Sequence, residues 1–188
     1  MRRSQDIDVR QQSSVVRSRF SQTLFWEAVL IAGAIVAVDQ LTKRIMLATL
    51  ERGNCSVDGA CIDVVWTLRL NLVFNPGASF STGQSFGPVI GAVSFVMAAL
   101  MIVLAARTEA NLQRRIFAFI AGGALGNGLD RLLRADDGFL SGEVIDFIDF
   151  QWWPVFNVAD IAIVCSVCLA IVLSFFSNET DDGQIGDA

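Results

Sequence analysis

Four long apolar blocks dominate the hydrophobic pattern of this chain. They run over Leu24–Met46, Phe86–Ala106, Ile116–Leu133 and Val155–Phe176. A helix needs about 20 mostly apolar residues to cross a bilayer, and each block is close to that length. The second block holds no charged residue and is the clearest span. The pattern therefore predicts a membrane protein of the all-α class with a small amount of β structure, built on a bundle of four transmembrane helices.

Polar segments flank the four blocks. Residues 1–22 carry Arg and no apolar run, and residues 177–188 are acidic. We expect a flexible leader and a tail around one membrane domain at 23–176. A cleaved signal peptide is an alternative for the first block, because Arg residues precede an apolar stretch. A retained helix is favoured, since Asp39–Lys43 is a poor cleavage region and three further spans follow.

Two loops between the blocks, about 47–85 and 134–154, have β character. Leu68–Leu72 alternates apolar and polar residues with the period of a strand. Asn75-Pro76-Gly77 is typical of a turn, and Val144–Phe150 is rich in β-forming residues. Trp152 and Trp153 follow directly and suit the headgroup level of a membrane. The loops thus predict a small sheet on one membrane surface.

The distribution of arginine predicts the orientation. Cytoplasmic loops of membrane proteins carry an excess of Lys and Arg. Five Arg lie in the leader, and three lie between the second and third blocks: Arg107, Arg114 and Arg115. Both segments are therefore expected in the cytoplasm. Both chain termini would then be cytoplasmic, and the two loops with β character would lie outside.

Polar residues inside the blocks cluster at the predicted outer ends. They are Asp39 and Lys43 in the first block, Asn127, Asp130 and Arg131 in the third, and Asn157 and Asp160 in the fourth. Charges in a span cost several kcal/mol unless they are paired or hydrated, and they usually mark function. Because separate segments bring such groups to the same leaflet, the pattern favours a functional site there.

Each of these groups also has a purely structural interpretation. Asp39 and Lys43 can form an ion pair at i and i+4, and the small residues around Gly122–Gly126 suit close helix packing. Asn157 suits the cap of a helix. Asp146 and Asp149 can each be the polar face of an edge strand. From the residues alone, these interpretations stay open beside the functional ones.

Composition narrows the chemistry. The 188 residues contain no His, which excludes Ser-His-Asp, Cys-His and HExxH sites, and they contain a single Lys. The net charge of −5 gives no basic stripe for nucleic acid. Cys55 and Cys61 lie in a polar loop, where a disulfide is plausible, whereas Cys165 and Cys168 are interpreted as apolar packing residues. No zinc site is expected, because His and repeated Cys pairs are missing.

Five ordered motifs together resemble the lipoprotein signal peptidase (signal peptidase II) family from about residue 24 to 176. They are Asp39-Gln-x-Thr-Lys43, Asn75-x-Gly-Ala-Ser-Phe80, Gly122-Gly-Ala-x-Gly-Asn127-x-x-Asp130-Arg131, Val144-Ile-Asp146-Phe147 and Phe156-Asn157-x-Ala-Asp160. Any one motif would be weak, but five in order are specific. Departures such as Phe74, Ser79, Gly128 and Ile145 leave both motif aspartates, Asp146 and Asp160, in place.

The resemblance implies an aspartic endopeptidase of the bacterial inner membrane, with both termini cytoplasmic and the active site near the periplasmic face. It implies cleavage of prolipoproteins just before a diacylglyceryl-modified cysteine, by Asp146 and Asp160. It also implies no metal or cofactor, a monomer in contact with membrane lipids, and no nucleic-acid partner. The positions that match supporting residues of the family are Asp39, Lys43, Asn75, Gly77, Asn127, Arg131 and Asn157, and Asp130 matches a structural acid.

Three other functions are weighed against this one. A small transporter would use intramembrane Asp, Asn and Arg, but it predicts polar residues through the full depth of the bundle. A non-catalytic assembly factor would tolerate replacement of Asp146 and Asp160 by Asn. A Ser–Lys peptidase would need Ser79 or Ser81 to reach Lys43.

Overall fold

The computed structural model of the chain describes residues 22–50, 61–77, 86–135 and 138–178. Within these ranges four helices are long and apolar enough to span a membrane. They are α1 (Gln22–Thr49), α2 (Gly87–Arg107), α3 (Asn111–Leu133) and α4 (Val158–Asn178). The four predicted spans are confirmed, with ends shifted by a few residues. The predicted leader and acidic tail lie almost entirely outside the described residues.

Three antiparallel strands form one sheet in the part of the chain that the structure describes. Strands β1 (Cys61–Val65), β2 (Leu68–Asn75) and β3 (Val144–Asp149) lie in the order β1-β2-β3. The predicted strands at Leu68–Leu72 and Val144–Phe150 are confirmed as β2 and β3. Strand β1 was not predicted, because Asp63 and two consecutive valines break the alternation. The sheet lies at one end of the bundle, which we call the sheet end.

Helix α3 is central, and small residues let the other helices approach it closely. A methyl group at Gly122 would lie 2.7 Å from Ile35 Cβ of α1. At Gly123 it would collide with the Ala159 carbonyl of α4, and at Gly128 it would lie 3.3 Å from the Phe95 ring of α2. The interpretation of Gly122 and Gly123 as packing residues is therefore correct, and Gly128, for which no packing role was predicted, also lies close to a neighbouring helix.

The two ends of the helix bundle are stabilised by different kinds of contact, polar at one end and apolar at the other. At the end opposite the sheet, the Arg114 guanidinium lies 2.9 Å from a Glu27 carboxylate oxygen and donates to Asn111 Oδ1 at 2.6 Å. At the sheet end, Leu50 after α1 packs in a buried apolar cluster with Leu72, Ile145 and Phe147. This cluster fixes strands β2 and β3 directly over the helix ends, which brings the side chains of β3 to the polar residues of the spans.

The cysteines differ in state. Cys61 is disulfide-bonded, and Cys55, the partner expected from the sequence, lies outside the described residues. Cys165 and Cys168 are free and exposed on α4. The interpretation of these two as apolar packing residues is wrong, since both side chains are exposed and Cys165 contributes to the wall of a cavity described below.

Candidate active site

The start of α4 is closed by a reciprocal pair of hydrogen bonds. The Asp160 backbone N–H donates to Asn157 Oδ1 at 3.0 Å, and the Asn157 backbone N–H donates to Asp160 Oδ2 at 3.1 Å. This is a capping-box arrangement, in which two backbone donors of the first turn are satisfied. The structural interpretation of Asn157 as a cap is correct, and the cap also fixes the carboxylate of Asp160 at the helix end.

Strand β3 presents Asp146 to the same place. Asp146 pairs with Val73 in the sheet and is buried, with 3% of its surface exposed. Its two carboxylate oxygens accept separate amide bonds, one from Asn157 Nδ2 at 2.6 Å and one from Asn75 Nδ2 at 3.0 Å. Both carboxylates therefore contact Asn157, although 14 positions separate Asp146 from Asp160.

Asn127 of α3 completes the frame around the two acids. Its Nδ2 donates to Asp160 Oδ1 at 2.8 Å, and its Oδ1 accepts from Asn157 Nδ2 at 3.0 Å. The amide oxygen also accepts from Lys43 Nζ at 3.0 Å. Lys43 and Asn157 both donate to Oδ1 of Asn127. The side-chain amide of Asn127 is therefore oriented so that its NH2 group, and not its oxygen, faces Asp160.

Beneath this frame lies a fully buried ionic cluster. The Lys43 ammonium is 2.8 Å from Asp39 Oδ2 and 2.8 Å from Asp130 Oδ2. Asp130 Oδ2 also accepts the Ile145 backbone N–H at 3.1 Å, and Asp39 Oδ1 accepts that of Ala159 at 3.0 Å. Asp39 and Lys43 do form the expected pair, but deep inside the protein rather than at an exposed helix end. The cluster ties α1 and α3 to the backbone residue immediately before each of the two acids.

The state of Lys43 bears on the Ser–Lys alternative. Its ammonium donates to Asp39, Asp130 and Asn127, so its three N–H bonds are all used. A serine nucleophile would therefore have to displace Asp39, Asp130 or Asn127 to reach Lys43 Nζ. Ser79 and Ser81, the proposed nucleophiles, lie outside the described residues.

Arg131 holds the turn after β2. Its guanidinium donates to the carbonyl oxygens of Gly77 at 2.6 Å, Pro76 at 3.1 Å and Gly142 at 3.3 Å. The planar fork of arginine suits several fixed acceptors at once. The Asn75 side chain adds a local turn bond, since its Oδ1 accepts the Gly77 N–H at 3.1 Å. The predicted turn thus lies against the site and aims Asn75 at Asp146.

Two acids of β3 have opposite electrostatics. Burial, and next the negative charge of Asp160, raise the pKa of Asp146 to about 7. Burial also acts on Asp149, but hydrogen bonds from Asn71 at 3.0 Å and Arg69 at 2.7 Å lower the pKa of its carboxyl below the usual value. Asp149 therefore stays ionised at neutral pH, whereas Asp146, with a pKa of about 7, is only partly ionised there.

An apolar cavity opens at the two acids. Its volume is about 710 Å³, and Asp146, Asp160, Asn127 and Arg131 contribute to its wall. Apolar side chains from α2, α4 and the β3–α4 loop form the rest: Ile90, Phe150, Trp153, Phe156, Ile161 and Val164. The arrangement places two carboxylates that can share one proton at the wall of a space that suits an acyl chain.

The structure brings every site residue predicted from the sequence to this region: Asp39, Lys43, Asn75, Gly77, Asn127, Asp130, Arg131, Asp146, Asn157 and Asp160. Sequence reasoning passed over Gln40, whose Nε2 donates to Asp130 Oδ1 at 3.0 Å and to the Gly126 carbonyl at 3.1 Å. A polar amide inside a span is itself a signal that could have identified it. The apolar wall residues carried no such signal.

The chain is similar to known proteins over most of its length. A family model described as Signal peptidase (SPase) II matches residues 31–176. A lipoprotein signal peptidase of Rhodococcus jostii (strain RHA1) is 38% identical over 162 residues, which cover 83% of this chain and 76% of that protein. One of Bifidobacterium adolescentis is 36% identical over 159 residues, which cover 84% of this chain and 81% of that protein. A bacterial membrane enzyme solved by the in meso method superimposes with a TM-score of 0.63 at 26% identity, covering 86% of this chain and 94% of that one.

Proposed function

Since this chain belongs to the signal peptidase II family, we propose that Asp146 and Asp160 are its catalytic pair. The enzyme is a membrane-embedded protease of the aspartic signal peptidase II type, and it removes signal peptides from prolipoproteins. We further propose that it cuts the peptide bond just before a cysteine that already carries a diacylglyceryl group.

One observation carries the assignment of the pair. Asp146 and Asp160 both accept hydrogen bonds from Asn157 and both lie at the wall of the same cavity. Two buried carboxylates this close resist joint ionisation, so they share one proton and titrate as a unit. The raised pKa of Asp146, caused by burial and then by the charge of Asp160, is what such a pair requires.

The chemistry follows from the shared proton. The ionised carboxylate takes a proton from a water molecule, and the resulting hydroxide attacks the scissile carbonyl carbon. The protonated carboxyl donates to the carbonyl oxygen as it becomes tetrahedral. When the C–N bond breaks, a proton passes to the leaving amine, and the pair returns to its singly protonated state. Acid–base catalysis of this kind contributes about 10²–10⁴-fold in rate.

The amides and the buried cluster act as positioning groups in this proposal. Asn75, Asn127 and Asn157 aim N–H bonds at the carboxylates and so fix where the water is deprotonated. Asp39, Lys43 and Asp130 hold Asn127 and the two flanking backbones in place. Arg131 and Gly77 shape the turn that borders the cavity.

Substrate binding is explained by where the cavity opens. Its wall combines the polar pair with apolar side chains of α2 and α4, two helices that span the membrane. The acyl chains of the modified cysteine can then stay in an apolar environment while the peptide bond reaches the carboxylates. Arg107, Arg114 and Arg115 lie at the opposite end of the bundle, so we place that end and both termini in the cytoplasm. The pair is then at the periplasmic face of the inner membrane.

The direct test is cleavage of a diacylglyceryl-modified prolipoprotein by the purified protein. Asp146→Asn and Asp160→Asn are each expected to lower the rate by at least about 10²-fold. Asp149→Asn is the matched control, because it removes a buried acid from the same strand that bonds to Arg69 and Asn71 instead of to the pair. Equal product from wild type and Asp160→Asn would rule out the aspartic pair.

A further inference from the structure

The turn of the β1–β2 hairpin carries a fully exposed tryptophan. Trp66 is 99% exposed, and its φ of 52° lies in the left-handed region, which bulky residues rarely adopt. Val64 and Val65, the last residues of the edge strand β1, are 55% and 57% exposed. Apolar side chains along a free strand edge promote aggregation in water. This hairpin tip therefore requires a covering partner.

The hairpin tip is attached to the wall of the cavity. The Thr67 carbonyl accepts a hydrogen bond from Gln151 Nε2 at 3.0 Å. Gln151 in turn donates its backbone N–H to Asp149 Oδ1 at 2.6 Å, and Arg69 of the hairpin pairs with Asp149 at 2.7 Å. The turn and the β3–α4 loop are thus tied directly by the Gln151–Thr67 bond and indirectly through Asp149, which contacts both Gln151 and Arg69.

The loop bound to the turn is aromatic and exposed as well. Trp152 and Trp153 directly follow Gln151, and 71% and 56% of their surfaces are exposed. Trp153 also lines the 710 Å³ cavity at the carboxylate pair. Trp66, Trp152 and Trp153, with Val64 and Val65, form what we call the aromatic rim.

The bilayer is the partner that the structure favours for the aromatic rim. The sheet that carries the rim packs on Leu50, Leu47 and Met46 at the end of a membrane-spanning helix, so it lies within reach of the lipid surface. Tryptophan is enriched at the headgroup level, where one part of the ring is in apolar surroundings and the N–H remains wet. Trp153 lines the same cavity as Ile161 and Val164, two exposed residues of α4, so the rim adjoins the apolar outer surface of that helix.

We propose that the aromatic rim inserts into the headgroup layer of the bilayer that the helices span, with Trp66 as its anchor. Through the contacts of Gln151, this insertion fixes the depth of the loop that borders the carboxylate pair. The proposal concerns membrane contact alone, so it stands or falls independently of the cleavage chemistry.

Depth-dependent fluorescence quenching tests the proposal with the full chain in phosphatidylcholine bilayers. In one variant Trp66 is the single tryptophan, with Trp26, Trp152 and Trp153 replaced by Phe. Its emission is expected to be quenched more by lipids brominated high on the acyl chain than by lipids brominated near the bilayer centre, and only weakly by aqueous iodide. The matched reference retains Trp26 alone, on the exposed face of α1 within a span.

Three other outcomes would overturn the proposal. Strong quenching by iodide without quenching by brominated lipid would place the rim in water. If Trp66 is protected from both quenchers and the protection increases with protein concentration, the partner is a second copy of the chain. If the protection from both quenchers appears only when substrate peptide is added, the partner is the peptide. If the triple Phe variant does not fold, the difference in emission between wild type and Trp66→Phe gives the same comparison.

Discussion

Replacement of Lys43 by Met tests the buried ionic cluster beneath the carboxylate pair. The ammonium is fully buried and lies 2.8 Å from both Asp39 and Asp130. Met has a similar length and no charge, so the variant leaves Asp39 and Asp130 facing each other without the ammonium between them, and only Arg134, 3.5 Å from the other oxygen of Asp130, still offers a cation. Breaking a buried ion pair by removing one partner costs about 3–5 kcal/mol. We expect a loss of that size in the free energy of unfolding, together with lower activity, because Asn127 loses a donor that fixes its amide.

A second substitution separates charge from packing. Asp39→Asn alone removes an ion-pair partner and is expected to destabilise the wild type. In the Lys43→Met background the same change removes an unpaired charge and is expected to recover part of the lost stability. Such a change of sign between backgrounds is the signature of direct coupling in a double-mutant cycle.

The assay is unfolding by sodium dodecyl sulfate in mixed micelles, followed by tryptophan fluorescence. Gln40→Leu is the matched control, because Gln40 bonds to Asp130 and the Gly126 carbonyl but carries no charge. Its loss is expected to cost about 1–3 kcal/mol and to leave Asn127 in place. A Lys43→Met variant no less stable than Gln40→Leu, or one that Asp39→Asn does not rescue, would refute the reasoning.

Three further predictions concern packing, the turn and pH. Gly126→Ala would place a methyl group 2.7 Å from Asp39 Oδ2, and we expect it to lower thermal stability by about 1–3 kcal/mol, whereas Gly33→Ala, with open space around it, should be neutral or stabilising. Arg131→Lys keeps the charge but loses the fork that holds three carbonyls, so steady-state kinetics should show a raised KM for the lipid-modified substrate. Because the pKa of Asp146 is raised to about 7, the folded state retains a proton that the unfolded state loses. The free energy of unfolding should therefore fall as pH rises from about 4 to about 7, by at most ~4 kcal/mol from this group, and Asp146→Asn should make that slope shallower in SDS titrations.

The spans were predictable because length and apolar content decide whether a segment can cross a bilayer. Leu133 ends the third span in both the prediction and the structure, and the other ends differ by a few residues. Strand β1 was not predictable by alternation, because Val64 and Val65 are both exposed at the sheet edge, where no buried face imposes a period of two.

The two acids of β3 show where sequence reasoning ends. Asp146 and Asp149 lie three positions apart in the same strand, and either could be a polar surface residue. The two acids differ in their partners on the neighbouring strand β2. Asp149 pairs with Arg69, whereas Asp146 pairs with Val73, two positions before Asn75. A register shift between Leu70 and Val73 sets these partners. Local sequence does not encode that shift, and the family resemblance supplied the assignment instead.

The shared proton itself is measured most directly by infrared spectroscopy of the carboxyl groups during a pH titration. For the detergent-purified wild type we expect a protonated carboxyl band that is present below neutral pH, disappears with a midpoint near 7, and is shifted or lost in both Asp146→Asn and Asp160→Asn. A wild-type spectrum without that band at pH 6, or a band that both variants retain unchanged, would contradict the account.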